Sequence, residues 1–325
     1  MFGQIPALLP HDGVKTALAE MTIPFLVIHV LYKANIDRRR DPVASPQPRK
    51  TSRRAAGEAI GSRAGNGEGC VLQLEGKVVW VTGGGSGIGE AAALALAREG
   101  AAIVLTGRRE APLEEVAARI RELGGSAHVQ PGDLTEPRPV RRIGDFIRDE
   151  LGRLDILLNN AGININDRHW DKLTPENALL MINGNLAAAA QCVTVALPIM
   201  RLRQDGLIIH TASMAGRFIG GFPGPLYTAA KHGIVAMSHS INMQECVHGI
   251  RSCAFLPGEV ATAILDKRPN PVSAEERARM VQPQDCADLI RYIALLPKRL
   301  VMNEVMLGPT WNRAYVAAIE KLSSL

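Results

Sequence analysis

At 325 residues, with 46% hydrophobic and 21% charged side chains, the chain has an ordinary globular composition and the length to bury a full core. Its formal net charge of +5 is uneven: residues 1–70 hold ten Lys/Arg against six Asp/Glu, which is +4, leaving +1 for the rest. A folded part so near neutrality argues against nucleic acid as a partner. Five scattered cysteines with no CxxC pair and no His/Cys cluster argue against a disulfide framework and a metal centre, and fit a reducing, cytoplasmic setting.

The first seventy residues show no sustained periodicity. The run DRRRDPVASPQPRKTSRRAAGEAIGSRAGNGEG is rich in Arg, Pro, Ser and Gly and cannot offset its own ordering entropy. Residues 1–70 are therefore expected to be a disordered extension, or to follow a start codon assigned too far upstream. Within them, the apolar run Ile23–Tyr32 is well short of the about 20 residues that span a bilayer. Asp12 and Glu20 ahead of it argue against a secretory signal, so a membrane role is disfavoured.

From Val71 onward, short apolar runs alternate with helical patterns. KVVWVTG reads as a strand and EAAALALAREG as a helix; AAIVLTG and PLEEVAARIRELGG repeat the pair. AHVQPGD, a further helix, LDILLNNAG, a long helix from about Pro175 to Arg203, GLIIHTAS, the helix holding Tyr227, and SCAFLPG follow. Continuously apolar strands alternating with helices predict an α/β fold, a parallel sheet covered on both faces. One domain is expected over residues 71–312, with 313–325 as a C-terminal tail.

The first strand runs straight into TGGGSGIG, with glycines at Gly83, Gly87 and Gly89. Glycines between a buried strand and a helix let the backbone turn sharply and approach a pyrophosphate at the helix N-terminus. Further on, YTAAK sets Tyr227 and Lys231 four residues apart, on one face of a helix and about 5–6 Å apart at Cβ. An ammonium there is expected to lower the phenol from its ordinary pKa of about 10. That makes the phenol a competent proton donor and acceptor. The second strand ends at Gly107, where this kind of turn usually has an acid, followed by Arg108 and Arg109. With no carboxylate to repel a ribose 2′-phosphate and a guanidinium to pair with it, NADP(H) is favoured. Ser86 in place of a basic residue before Gly87 keeps NAD(H) open.

TGGGSGIG, NNAG (Asn159–Gly162), YTAAK and PGEVAT (Pro257–Thr262), in that order, resemble the compact one-domain form of the short-chain dehydrogenase/reductase family. The resemblance covers residues 72–310 and implies a doubly wound Rossmann-type sheet of about seven strands. It implies an NAD(P)-dependent oxidoreductase moving hydride between the nicotinamide and a small alcohol or carbonyl. Tyr227 would be the general acid/base, Lys231 its cationic partner, Ser213 the hydroxyl bonded to the substrate oxygen, and Asn185 the holder of a water relay. Asn183 competes for that last role, and the Asn-Leu-x-small context points to Asn185. Cofactor contacts are expected at Gly83, Ser86, Gly87, Ile88 and Gly89, and at Arg108. Asp133 would meet the adenine, Asn160, Ala161 and Gly162 would lie beside the adenosine ribose, Lys231 would hold the nicotinamide ribose hydroxyls, and Thr262 would reach the carboxamide. Leu134, Tyr227, Pro257, Gly258 and Val260 are further expected cofactor contacts.

In the same family the loop after Ser213 and the segment after Pro257 set specificity, and the second of these reads as a lid. Phe218, Ile219, Phe222 and Leu226 suggest an apolar pocket wall. Arg217, Lys267 and Arg268 are candidate partners for a substrate carboxylate, although basic residues in exposed loops are ordinarily just solvated. The alanine-rich NLAAAAQCVTVALPIM resembles the helix that forms the family's main subunit interface with the Tyr/Lys helix, which implies a homodimer or homotetramer. A dinucleotide-binding regulator that kept the fold without the chemistry is the alternative.

Overall fold

The computed structural model describes residues 72–267 and 272–323. The N-terminal extension, its apolar run and Arg268 lie outside the described residues.

Seven strands form one parallel sheet: β1 (Val78–Thr82), β2 (Ala102–Thr106), β3 (Ser126–Val129), β4 (Ile156–Asn159), β5 (Gly206–Thr211), β6 (Ile250–Pro257) and β7 (Glu304–Leu307). Their order is β3-β2-β1-β4-β5-β6-β7. The central strands are apolar throughout because both of their faces are covered, and the pleat decides which residue goes where. Val79, Val81, Ile103, Leu105, Leu158 and Ile209 face α1 (Gly87–Arg98), α2 (Glu110–Glu122) and a later helix, Pro283–Ala294. Val78, Trp80, Val104, Leu157 and Ile208 face the other way, toward α3 (Pro137–Asp149) and Ala188–Arg201.

The expected long helix is two helices, α4 (Pro175–Ile182) and α5 (Ala188–Arg201), joined by a π turn over Asn183–Ala187. Across the turn the Ala188 N–H donates to the Asn183 carbonyl, five residues back. By length and composition the continuous stretch Pro175–Arg201 could cross a membrane. Here Cys192, Val193, Ala196 and Met200 pack it onto the sheet. α6 (Pro225–Glu245) carries Tyr227, starting on a proline straight after Gly224, whose φ is 85°. α7 (Ala274–Ala278) opens with a Ser273/Glu276 capping box, and α8 is the Pro283–Ala294 helix.

Two elements had no clear sequence signal. β7 reads Glu-Val-Met-Leu and is half-exposed, so it lacks the apolar run that marks the other strands; pairing with β6 in the register Ala254↔Glu304 makes it a strand. Residues at the chain's end form α9 (Arg313–Ser323), and Arg313 is paired with Glu259 and Glu276.

The strand order reverses direction between β1 and β4, so α1 leaves on one face and α4–α5 on the other. That opens a crevice at the carboxyl ends of these two strands. Asp155 fixes the opposite end of the same pair. Its carboxylate accepts from the Val78 N–H at 2.9 Å, from Arg153 at 2.6 and 2.7 Å and from Lys77 at 3.1 Å. Burial pushes this carboxyl up, but the hydrogen bonds from Arg153, Val78 and Lys77 outweigh it and hold it below the ordinary range. Its stabilisation is therefore present above the unfolded-chain value of about 4 and lost as pH falls through the lower folded value. Asp155→Asn is expected to cost about 2 kcal/mol at pH 7 by urea unfolding. The gap from wild type should shrink toward pH 3; a gap independent of pH would contradict this assignment.

Candidate active site

The glycine-rich turn is built around one threonine. Thr82 Oγ1, at the end of β1, accepts from the backbone N–H groups of Asn160 at 2.9 Å and Ala161 at 3.0 Å, so the exits of β1 and β4 share one buried hydroxyl. The Asn160 amide returns to the Thr82 carbonyl at 3.2 Å. Gly83 has a φ of 66°, and a Cβ on Gly89 would lie 2.3 Å from the Gly83 carbonyl oxygen. Glycine is required at both positions, at the first by conformation and at the second by space. The result is a helix whose unpaired N–H groups open onto the crevice.

That crevice is a cleft of about 520 Å³, of the size that takes a cofactor-sized ligand. It is lined by Gly83 and Ser86 of the turn, Arg108, Asp133 and Leu134, and Ala161 and Gly162 after β4. Arg108 and Arg109 are exposed at its edge and, among the described residues, neither guanidinium has an ion-pair or hydrogen-bond partner. Asp133 is oriented by the Thr135 N–H at 2.9 Å and the Thr135 hydroxyl at 2.8 Å.

Gly162 separates the cleft from the second cluster: a Cβ there would lie 2.9 Å from Asn185 Oδ1 and 3.6 Å from Lys231 Nζ. Lys231 is buried at 4% exposure and donates to the Thr211 carbonyl at 2.7 Å. Burial pushes its ammonium down to about 8. Its Nζ lies 5.5 Å from the centroid of the Tyr227 ring. Ser213 follows β5 with its hydroxyl accepting from the Ala215 N–H at 3.1 Å, and interacts with the Tyr227 phenol. Asn185 sits in the π turn, with its oxygen accepting from the Ile163 N–H at 3.0 Å and its amide donating to the Met181 carbonyl at 2.9 Å.

Residues 77–272 match the short chain dehydrogenase family. The chain belongs to the short-chain dehydrogenases. It is 32% identical over 236 residues to an uncharacterised oxidoreductase of Staphylococcus aureus strain USA300, covering 73% of this chain and 98% of that one. Among solved structures it resembles an alcohol dehydrogenase of the archaeon Thermococcus sibiricus complexed with 5-hydroxy-NADP. That match has a TM-score of 0.66 and 27% identity over 73% of this chain and 98% of that one. A metagenomic short-chain oxidoreductase in complex with NADP matches at TM-score 0.64 and 28% identity, covering 74% and 100%.

Within this short-chain dehydrogenase the expected site residues fall into separate places. Pro257 ends β6, and Gly258, Val260 and Thr262 follow it. Gly258 N–H is taken by the Leu307 carbonyl and Val260 is buried in a bridge to Val281, while the Thr262 methyl lies against Gly87. Ile88 packs partly into the core beneath the turn. Arg217 is committed to Glu304, which it meets together with His239. Tyr227 differs from expectation in one respect. Burial raises its phenol, and the Ser213 hydroxyl lowers it only in part. The lysine leans over the ring and donates a hydrogen bond to the Thr211 carbonyl, and at the phenol desolvation prevails. Thr82, Thr211 and Thr135 were missed by sequence reasoning, because a bracing hydroxyl or carbonyl has no motif of its own.

Thr82→Val leaves two backbone N–H groups without their acceptor and is expected to destabilise the protein by about 2 kcal/mol, with Thr82→Ser close to wild type. Thermal unfolding compares them; a valine variant as stable as wild type would remove Thr82 from this bracing role.

Proposed function

We propose that the protein is an NADP(H)-dependent oxidoreductase of small alcohols and carbonyl compounds, with residues 71–312 as its catalytic domain. The observation that carries this reading is the junction at Gly162, where a cleft suited to a dinucleotide meets the Asn185, Ser213, Tyr227 and Lys231 cluster.

The residues present fit a dinucleotide. Gly83, Ser86, Gly87, Ile88 and Gly89 form a turn whose backbone can approach a pyrophosphate, held against Asn160. The unpartnered Arg108 and Arg109 suit a 2′-phosphate, in keeping with the two NADP-type complexes among the similar structures. When bound, the nicotinamide supplies or accepts the hydride. Ser213 then holds the substrate oxygen, and Tyr227 gives that oxygen a proton during reduction or takes one during oxidation. The phenol is protonated at neutral pH, as a general acid must be. Lys231 stabilises the phenolate left behind, its own position set by the Thr211 carbonyl.

The substrate approaches beside the loop after Ser213, where Phe218, Ile219 and Phe222 are exposed and favour an apolar group. Asn164 ties this loop to the one after β4 through the Pro223 carbonyl at 3.1 Å, and the Arg168 guanidinium lies over the Phe222 ring at 5.1 Å. The exposed Leu179 of α4 and Met243 of α6 fit burial in a homodimer or homotetramer. Free thiols at Cys192, Cys246, Cys253 and Cys286 suit a cytoplasmic setting.

Tyr227→Phe is expected to abolish turnover while nucleotide affinity stays within a few-fold; substantial remaining activity would remove Tyr227 from the role. Arg108→Asp should swing the kcat/KM ratio from NADPH toward NADH by ten-fold or more, and an unchanged ratio would mean that Arg108 does not read the phosphate.

A further inference from the structure

His210 stands on β5 one residue before Thr211, whose carbonyl holds the Lys231 ammonium. It is fully enclosed, at 0% exposure, and among the described residues neither ring nitrogen has a hydrogen-bond partner. The pleat places it on the face of Ile208 and Ala212, beneath α5 and α6, between Asn159 of β4 and Ala254 of β6. The Asn159 amide donates to the Ala189 carbonyl and its oxygen faces the Thr82 hydroxyl.

The charged and titratable groups on the two covering helices narrow the choice. On α6, His232 is bonded to the Thr228 carbonyl, His239 to Glu304, and Glu245 to Arg201 of α5. Burial pushes the Cys192 thiol of α5 up to about 12, so it is uncharged. Tyr227 is likewise neutral, its phenol raised by burial. Lys231 is the remaining charge that acts on the ring. Burial first, and the Lys231 ammonium second, hold the imidazole down to about 3, so it is neutral throughout the physiological range.

A neutral imidazole has one N–H and one bare nitrogen that must accept. The lysine has three N–H groups, of which one goes to Thr211. A donor in excess is therefore anchored at the residue after His210, whose ring holds an acceptor that lacks a partner among the described residues. We propose that His210 is a positioning residue for Lys231, its bare ring nitrogen accepting a hydrogen bond from the ammonium through a single buried water. This rests on Lys231 being the partner of Tyr227. Both ends of the Asn185 side chain are occupied, by Ile163 and Met181, so the imidazole is a second support and not a duplicate of that asparagine.

Removing the acceptor makes the buried ammonium harder to keep, so it should lose its proton at lower pH. The test uses the full chain labelled with 13Cε-lysine and titrated by NMR without cofactor, with the Lys231 signal identified by its loss in Lys231→Arg. In wild type the midpoint should lie near 8. In His210→Leu it should fall by about half a pH unit or more, roughly a threefold change in the ionisation constant. His210→Gln, which keeps a neutral acceptor, should restore it. A folded His210→Leu with an unmoved midpoint would overturn the proposal, because a merely structural residue would change stability and leave the lysine where it was. Should the leucine variant not fold, 15N spectra of histidine-labelled wild type decide: the bare nitrogen must carry the shift of a hydrogen-bonded acceptor, and an unbonded shift overturns it. The midpoint is read without substrate or cofactor, so an active Tyr227→Phe enzyme would defeat the catalytic reading and leave this result intact.

Discussion

The approach of α1 to the exit of β1 is the constraint on which the rest of the site depends. A helix can begin this close to a strand only where no side chain intervenes, and a Cβ at Gly89 would stand 2.3 Å from a backbone oxygen. Because α1 starts there, its unpaired N–H groups open at the carboxyl end of the sheet. Thr82 then ties this turn to the exit of β4 through a single hydroxyl. The cleft thus has two walls from two βα units, fixed relative to each other by one side chain.

The second half of the site answers a different problem, a lysine ammonium taken out of water. Isolated burial of such a charge is costly, and the fold meets the cost with a backbone carbonyl at the end of β5. The same low-dielectric setting moves both members of the pair. It lowers the ammonium to about 8 and raises the phenol, so both remain protonated near neutrality, the ammonium by a smaller margin than in water. The π turn between α4 and α5 adds Asn185 to this cluster, and Gly162 lets the cluster approach the cleft.

The sequence carried those parts of the fold that depend on local pattern. Apolar runs such as KVVWVTG betray strands covered on both sides, and TGGGSGIG betrays a turn because backbone geometry restricts it to glycine. The placement of Tyr227 and Lys231 on one helix was legible through their spacing. Contacts across the chain were not. Nothing in the pattern joins Arg217 to Glu304, 87 residues away, or Thr82 to Asn160. The π turn was invisible because it inserts one residue into a helix whose apolar character is unbroken. β7, half-exposed at the sheet's edge, has no run to read. The direction of the Tyr227 shift also escaped, since spacing gives proximity to a charge but not the balance of charge against desolvation.

The measurement closest to the central claim is a side-by-side fluorescence titration of the full chain with NADPH and NADH. Saturable NADPH binding at least ten-fold tighter than NADH is the expected result, the glycine turn holding the pyrophosphate that both share and Arg108 the phosphate that only one carries. Binding of neither nucleotide would contradict the account, leaving a short-chain dehydrogenase whose cleft holds some other ligand.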